Sequence, residues 1–191
     1  MNLNKKLKFI HITKCAGTSI EEYGKTCNIE WGKYHKEYGW WHEIFRNKSK
    51  ELKEQYDWFV VVRNPYNRIL SEFYYSLKNN SFNYPKREEV NKLLIENIKN
   101  RCKNGNHYTE QYKYIDDSVK IHILKFENLE TEFTQLMHKY NIIICRLEVK
   151  NMNDKYRFFK IKDFSPELLR IINEVYKKDF EMFGYEMENL F

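Results

Sequence analysis

Residues Phe9-Ile-His-Ile-Thr-Lys-Cys-Ala-Gly-Thr-Ser-Ile20 set one lysine, one glycine and two hydroxyls directly behind a short apolar run. The run, residues 7–12, reads as a buried strand. The stretch 18–27 reads as a helix, with Ile20 and Tyr23 spaced for an inner face. A strand, a turn of small residues and a helix N-terminus together cradle a phosphate or a sulfate. Backbone N–H groups and the positive end of the helix dipole face the anion there, and Lys14 adds a full charge. The spacing is not that of a nucleoside-triphosphate loop, which needs G-x-x-x-x-G-K-[ST]. Here Lys14 precedes Gly17, and no glycine stands five positions ahead of Gly17. A second candidate is Arg63-Asn-Pro-Tyr-Asn-Arg-Ile-Leu-Ser71. A guanidinium at a strand end and a hydroxyl two turns into the next helix suit a grip on a phosphate from two sides.

The elements that must hold these residues follow from the apolar pattern. Residues 58–62 are a continuous β-branched and aromatic run and read as a second fully buried strand. Pro65 pre-sets the first turn of a helix. That helix continues over 66–77 with Ile69, Leu70, Phe73 and Leu77 on one face. Further helices are expected over 48–55, 86–103 and 129–140. Another begins at Ser165-Pro166, with Ser165 as N-cap, and runs to about residue 180. Residues 119–126 alternate and read as a third strand, and 142–149 as a short fourth. Strands alternating with helices predict a single α/β domain over 1–191, with a mainly parallel central sheet flanked by helices. Ligands bind such sheets at the carboxyl ends of the strands, where both candidate segments fall. The aromatic stretch 31–41 has no period and reads as a loop lining a site. Trp31, Tyr34, Tyr38, Trp40 and Trp41 are suited there to stacking on a sugar or on adenine, or to a small satellite core.

Composition narrows the class. The 191 residues carry a net charge of +6, with 42% apolar and 17% aromatic residues, which suits a folded domain that welcomes a polyanion. Cys15, Cys27, Cys102 and Cys145 form neither a C-x-x-C pair nor a zinc spacing, so thiols in a reducing compartment are expected. With no secretory leader and no run near the ~20 apolar residues of a membrane span, the chain is expected to be soluble and cytoplasmic. A nucleotide kinase of related loop type lacks its G-K-[ST] and an evident magnesium-holding aspartate. A basic nucleic-acid-binding module has only the net charge behind it.

Together, residues 11–19 and 63–71 resemble the sulfotransferases that use 3′-phosphoadenosine 5′-phosphosulfate, especially the carbohydrate branch. That family has H-I-x-K-x-x-G-T-S and later R-[ND]-P-x-x-R-x-x-S. Leu124-Lys-Phe-Glu-Asn-Leu-Glu130 and Tyr176-Lys-Lys-Asp-Phe-Glu-Met-Phe-Gly-Tyr185 resemble its later segments. Thr13 and Cys15 depart from its usual Pro and Thr without removing a charge. The resemblance implies a P-loop-like sulfotransferase fold and transfer of a sulfuryl group to an acceptor hydroxyl, on a small molecule or a glycan. It leaves adenosine 3′,5′-bisphosphate and needs no metal, nucleic acid or membrane span. It assigns Lys14, Cys15, Ala16, Gly17, Thr18 and Ser19 to the 5′-phosphosulfate, and Arg63 and Ser71 to the 3′-phosphate. A general base must take the acceptor proton, and histidine suits that near neutral pH. His11 reads as structural within the first strand. His122 and His138 lie away from the site loops. The family often has a histidine 20–25 positions before this arginine, and His42 stands 21 before Arg63. His42 is therefore favoured as base over His35, with Lys14 at the leaving oxygen and Glu43 a further candidate base. By resemblance, His107 in His107-Tyr-Thr-Glu-Gln111 touches the acceptor, and Trp41 and Tyr34 of the aromatic loop are further candidates to bind it.

Overall fold

The computed structural model describes residues 6–29, 31, 42–79, 86–101, 107–143 and 158–189. In chain order the strands and helices are β1 (Leu7–Ile10), α1 (Gly17–Thr26), α2 (Lys50–Gln55), β2 (Asp57–Val62), α3 (Pro65–Asn79), α4 (Arg87–Lys99), β3 (Ile121–Lys125), α5 (Leu129–Lys139), α6 (Pro166–Val175) and α7 (Lys177–Phe183). They fall into two compact units. The first comprises Met1–Arg63 and Lys113–Asn151, the second Asn64–Tyr112 and Met152–Phe191.

The first unit holds a parallel sheet in the order β1-β2-β3. All six residues of β2 are buried, five of them the unbroken apolar run 58–62, and Ile10 pairs with Val60. Parallel pairing puts the carboxyl ends of β1 and β2 at one edge, so residues 11–16 and Arg63 leave the sheet side by side. The expected alternation in the third strand is not found. Only Leu124 of β3 is buried, and Ile123 is 41% exposed. Among the described residues β3 pairs on one side only, with β2. The expected fourth strand falls mainly on residues 144–149, outside the described residues.

Aromatic rings fill the space beneath the sheet. Phe59 lies 4.8 Å from Phe9, 5.0 Å from Trp31 and 6.0 Å from Phe133, and Tyr23 of α1 meets Phe133 edge-on. Trp31 is thus a core residue, and its carbonyl accepts the Phe9 N–H. A ring 1% exposed has no face left for a sugar or an adenine. Tyr34, His35, Tyr38, Trp40 and Trp41 lie outside the described residues.

The second unit packs α3, α4, α6 and α7 around Ile69, Phe73, Leu94, Leu168 and Phe180. Ser165 caps α6 by accepting the Leu168 N–H, with Pro166 at the first position. The expected long C-terminal helix breaks at Tyr176. The buried Tyr176 hydroxyl donates to the Tyr108 carbonyl, and buried Asp179 accepts the N–H groups of Gln111 and Tyr112. These tertiary bonds, invisible in the helical period, favour two short helices over one. Burial pushes the Asp179 carboxyl above its ordinary range, against the pull of those N–H donors.

At the amino end of β2, away from the edge where Arg63 emerges, Asp57 accepts from the Tyr140 hydroxyl at 2.5 Å and from Lys120 Nζ at 2.9 Å. Burial alone would raise the Asp57 carboxyl, but these hydrogen bonds outweigh it and hold the group below its ordinary range. Its contribution is therefore full above the unfolded carboxylate range and is lost as the pH falls through the lowered native value. Asp57→Asn should cost about 2 kcal/mol at pH 7. The difference from wild type should shrink in acid, as read by chemical denaturation at pH 7 and pH 3.

Candidate active site

Beyond Ile10 the chain turns sharply. Lys14 and Ala16 both adopt left-handed backbone conformations, with φ of 61° and 60°. For residues other than glycine this costs roughly 1–2 kcal/mol each, and such strain clusters at ligand-binding loops. Alternating left-handed residues turn successive N–H groups into an anion-binding concavity. Ala16 is the N-cap of α1 and has no side-chain oxygen to satisfy the first turn, which also holds no acidic residue. The helix start thus presents its positive dipole end without a capping side chain or an acidic residue in its first turn. Thr18 is exposed and Ser19 half-buried in the first turn of α1, while the Cys15 thiol is fully buried. What Cys15 can offer a ligand is its backbone.

Arg63 reaches this loop from the end of β2. Its Nη1 donates to the Lys14 carbonyl at 3.2 Å, and its guanidinium lies 4.0 Å above the centre of the Phe126 ring. Phe126 belongs to the Leu124–Glu130 motif, so three segments distant in sequence meet at one sheet edge. Ser71, by contrast, is buried on α3 in the second unit.

His11 follows β1 rather than lying within it, and both it and His42 are buried. The two imidazoles meet edge-on at 4.6 Å, and His42 Nδ1 donates to the His11 carbonyl at 3.4 Å. The Tyr114 hydroxyl donates to the His42 carbonyl at 3.1 Å and fixes the backbone there. His11 also lies against the start of α1. A Cβ added at Gly17 would fall 1.9 Å from its Nε2. One turn further along, Glu21 Oε1 stands 3.7 Å from His11 Nδ1, and its side chain is 3% exposed. Glu21 shares the buried face of α1 with Ile20 and Gly24, so helical spacing alone could have flagged it as an inward-facing charge. Glu43 is engaged by Lys48 at 2.8 Å.

In the second unit, His107 Nδ1 is 3.0 Å from Glu72 Oε2, and the imidazole is about one-third exposed. Arg68, the second arginine of the 63–71 motif, had no assigned role. It is buried and donates to the carbonyls of Thr109 and His107 at 2.9 and 3.0 Å. It fixes the backbone of the segment that carries His107. Its signal in the sequence was the motif's repeated arginine, but one side chain's partners cannot be read from its own position.

A parallel α/β sheet with a strained turn bearing Lys14 and Arg63 at its carboxyl edge has the geometry that suits an anionic ligand. The model of the sulfotransferase family matches residues 1–186, and the chain belongs to the sulfotransferase family. It is an enzyme of sulfuryl transfer. No curated protein and no solved structure matches the chain. No helix among the described residues is long and apolar enough to cross a membrane.

The close approach of His11 leaves no room for a side chain at residue 17. Gly17→Ala should destabilise the first unit by about 1–3 kcal/mol, read as a lowered thermal midpoint. An unchanged midpoint would show that the imidazole yields freely.

Proposed function

We propose that this sulfotransferase takes its sulfuryl group from 3′-phosphoadenosine 5′-phosphosulfate and passes it to an acceptor hydroxyl, on a carbohydrate. The observation that carries the reading is the left-handed Lys14–Ala16 turn at the uncapped start of α1, with Arg63 bound to its backbone. The residues present suit the donor. The loop offers backbone N–H groups and Lys14 to a phosphosulfate, and Arg63, with Ser71, is assigned to the 3′-phosphate by its motif. The match across both units supports reading the whole chain as one sulfotransferase domain.

The donor, when bound, supplies an activated sulfuryl group on a phosphate leaving group. The protein's part is positioning and charge. Lys14 places a compact ammonium where negative charge grows on the bridging oxygen. The backbone of residues 15–17 and the hydroxyls of Thr18 and Ser19 orient the anion. His42 takes the acceptor proton. A carbonyl oxygen only accepts hydrogen bonds, so the contact with the His11 carbonyl favours the imidazole proton on Nδ1, the tautomer whose Nε2 can serve as the base. His35 is the other candidate base, and His107, Trp41 and Tyr34 are assigned to the acceptor.

Calorimetry tests the donor. The chain should bind adenosine 3′,5′-bisphosphate without metal, and binding of ATP with Mg²⁺ in its place would indicate a kinase. Lys14→Ala should abolish transfer and weaken the bisphosphate at least about tenfold. His42→Ala should keep bisphosphate affinity and lose about 10²–10⁴ in turnover. An active His42→Ala enzyme would move the base to another residue.

A further inference from the structure

Arg63 leaves β2 on a long, flexible side chain, and such a chain loses rotamer freedom when it grips a ligand. Two contacts already restrict it. Its Nη1 donates to the Lys14 carbonyl at 3.2 Å, and the guanidinium centre lies 4.0 Å over the Phe126 ring. The sheet register delivers that ring. Val62 pairs with Lys125 in the parallel ladder of β2 and β3, so Arg63 and Phe126 follow as the next positions on neighbouring strands. The Lys125 N–H donates to Glu132 Oε2 of α5 at 2.7 Å and fixes the exit of β3. Phe126 then opens a short turn ahead of α5 and is half-buried.

We propose that Phe126 is a positioning residue for the donor, seating the Arg63 guanidinium for a 3′-phosphate. The face of an aromatic ring is negative and attracts a cation. Ring and carbonyl are both neutral, so neither contact neutralises the arginine charge as a carboxylate would. A guanidinium carries five N–H donors in a fixed planar fork. Steadied at its face by Phe126 and at one donor by Lys14, that fork has less freedom to lose when it meets a phosphate. A leucine would fill much of the same space without the ring's quadrupole. Phe126 thus sets how strongly the site prefers a nucleotide that carries a 3′-phosphate over one that lacks it.

This inference rests on the assignment of Arg63 to the 3′-phosphate, and the experiment separates the two. Calorimetry on the full chain compares adenosine 3′,5′-bisphosphate with adenosine 5′-monophosphate. Wild type should prefer the bisphosphate. Phe126→Leu, with Phe126→Met as a second ring-free variant, should weaken the bisphosphate about tenfold and hold the monophosphate within about twofold. Phe126→Tyr keeps the ring face and should retain the wild-type preference. In an Arg63→Met background, Phe126→Leu should weaken binding no further, because the ring acts through the guanidinium. Without any ligand, the Arg63 Nε–H signal in NMR should carry a ring-current shift that Phe126→Leu removes and Phe126→Tyr keeps. An unchanged bisphosphate affinity, equal weakening of both nucleotides, or a loss that persists without Arg63 overturns the proposal; the last two would make the ring a support for the nucleoside or for packing. An Arg63 signal indifferent to Phe126→Leu overturns it whether or not a nucleotide binds. A wild type that binds the two nucleotides equally, or neither, while the Arg63 signal responds to Phe126, overturns the assignment of Arg63 instead.

Discussion

The contact between the His11 imidazole and Gly17 is the constraint on which the site depends. It brings the end of β1 onto the start of α1 so closely that no side chain fits at residue 17. The chain between these points must then turn within a few residues, and it does so through left-handed conformations at Lys14 and Ala16. Neither residue favours that geometry. It persists because the surroundings over-determine it: β1 is buried, Ile20 and Tyr23 anchor α1 in the aromatic core, and Arg63 holds the Lys14 carbonyl from the neighbouring strand. Helix α1 accordingly starts from a left-handed Ala16 with no side-chain cap.

Buried charge is handled in three ways. Asp57 is satisfied by hydrogen bonds from Tyr140 and Lys120, far from the loop, and this serves stability. Arg68 is buried with its guanidinium on backbone carbonyls, so a charge positions a loop rather than a ligand. Glu21 is buried on α1 with its Oε1 3.7 Å from His11 Nδ1, close under the turn at residues 14–16. The two arginines of one short motif therefore part company. Arg63 belongs to the loop, and Arg68 to the framework of the second unit.

Much of the fold was legible in the sequence. The unbroken run before Arg63 could only be a strand buried on both faces, and β2 is one. The Ser165-Pro166 helix start also stands as read. The readings that changed share one cause. For Trp31 the core alternative prevailed over ligand stacking because Phe59 and Phe133 lie beside it in space, not in sequence. The C-terminal helix broke at Tyr176 because of a partner 68 residues away. β3 lost its alternation because exposure is set by what covers each face.

The sequence alone determined the chemistry on offer: a lysine and hydroxyls behind a buried strand, an arginine at the end of another, and histidines in reach of a base's task. Residue type and local spacing suffice for that, since strand, turn and helix start are written in near neighbours. The tertiary structure decided which of those groups meet. It bound Arg63 to the Lys14 backbone, set His42 on the His11 carbonyl, and turned Glu21 inward beneath the loop. Parallel pairing of β1 with β2 brings together residues some fifty positions apart, and no local pattern encodes the partner that waits across the sheet.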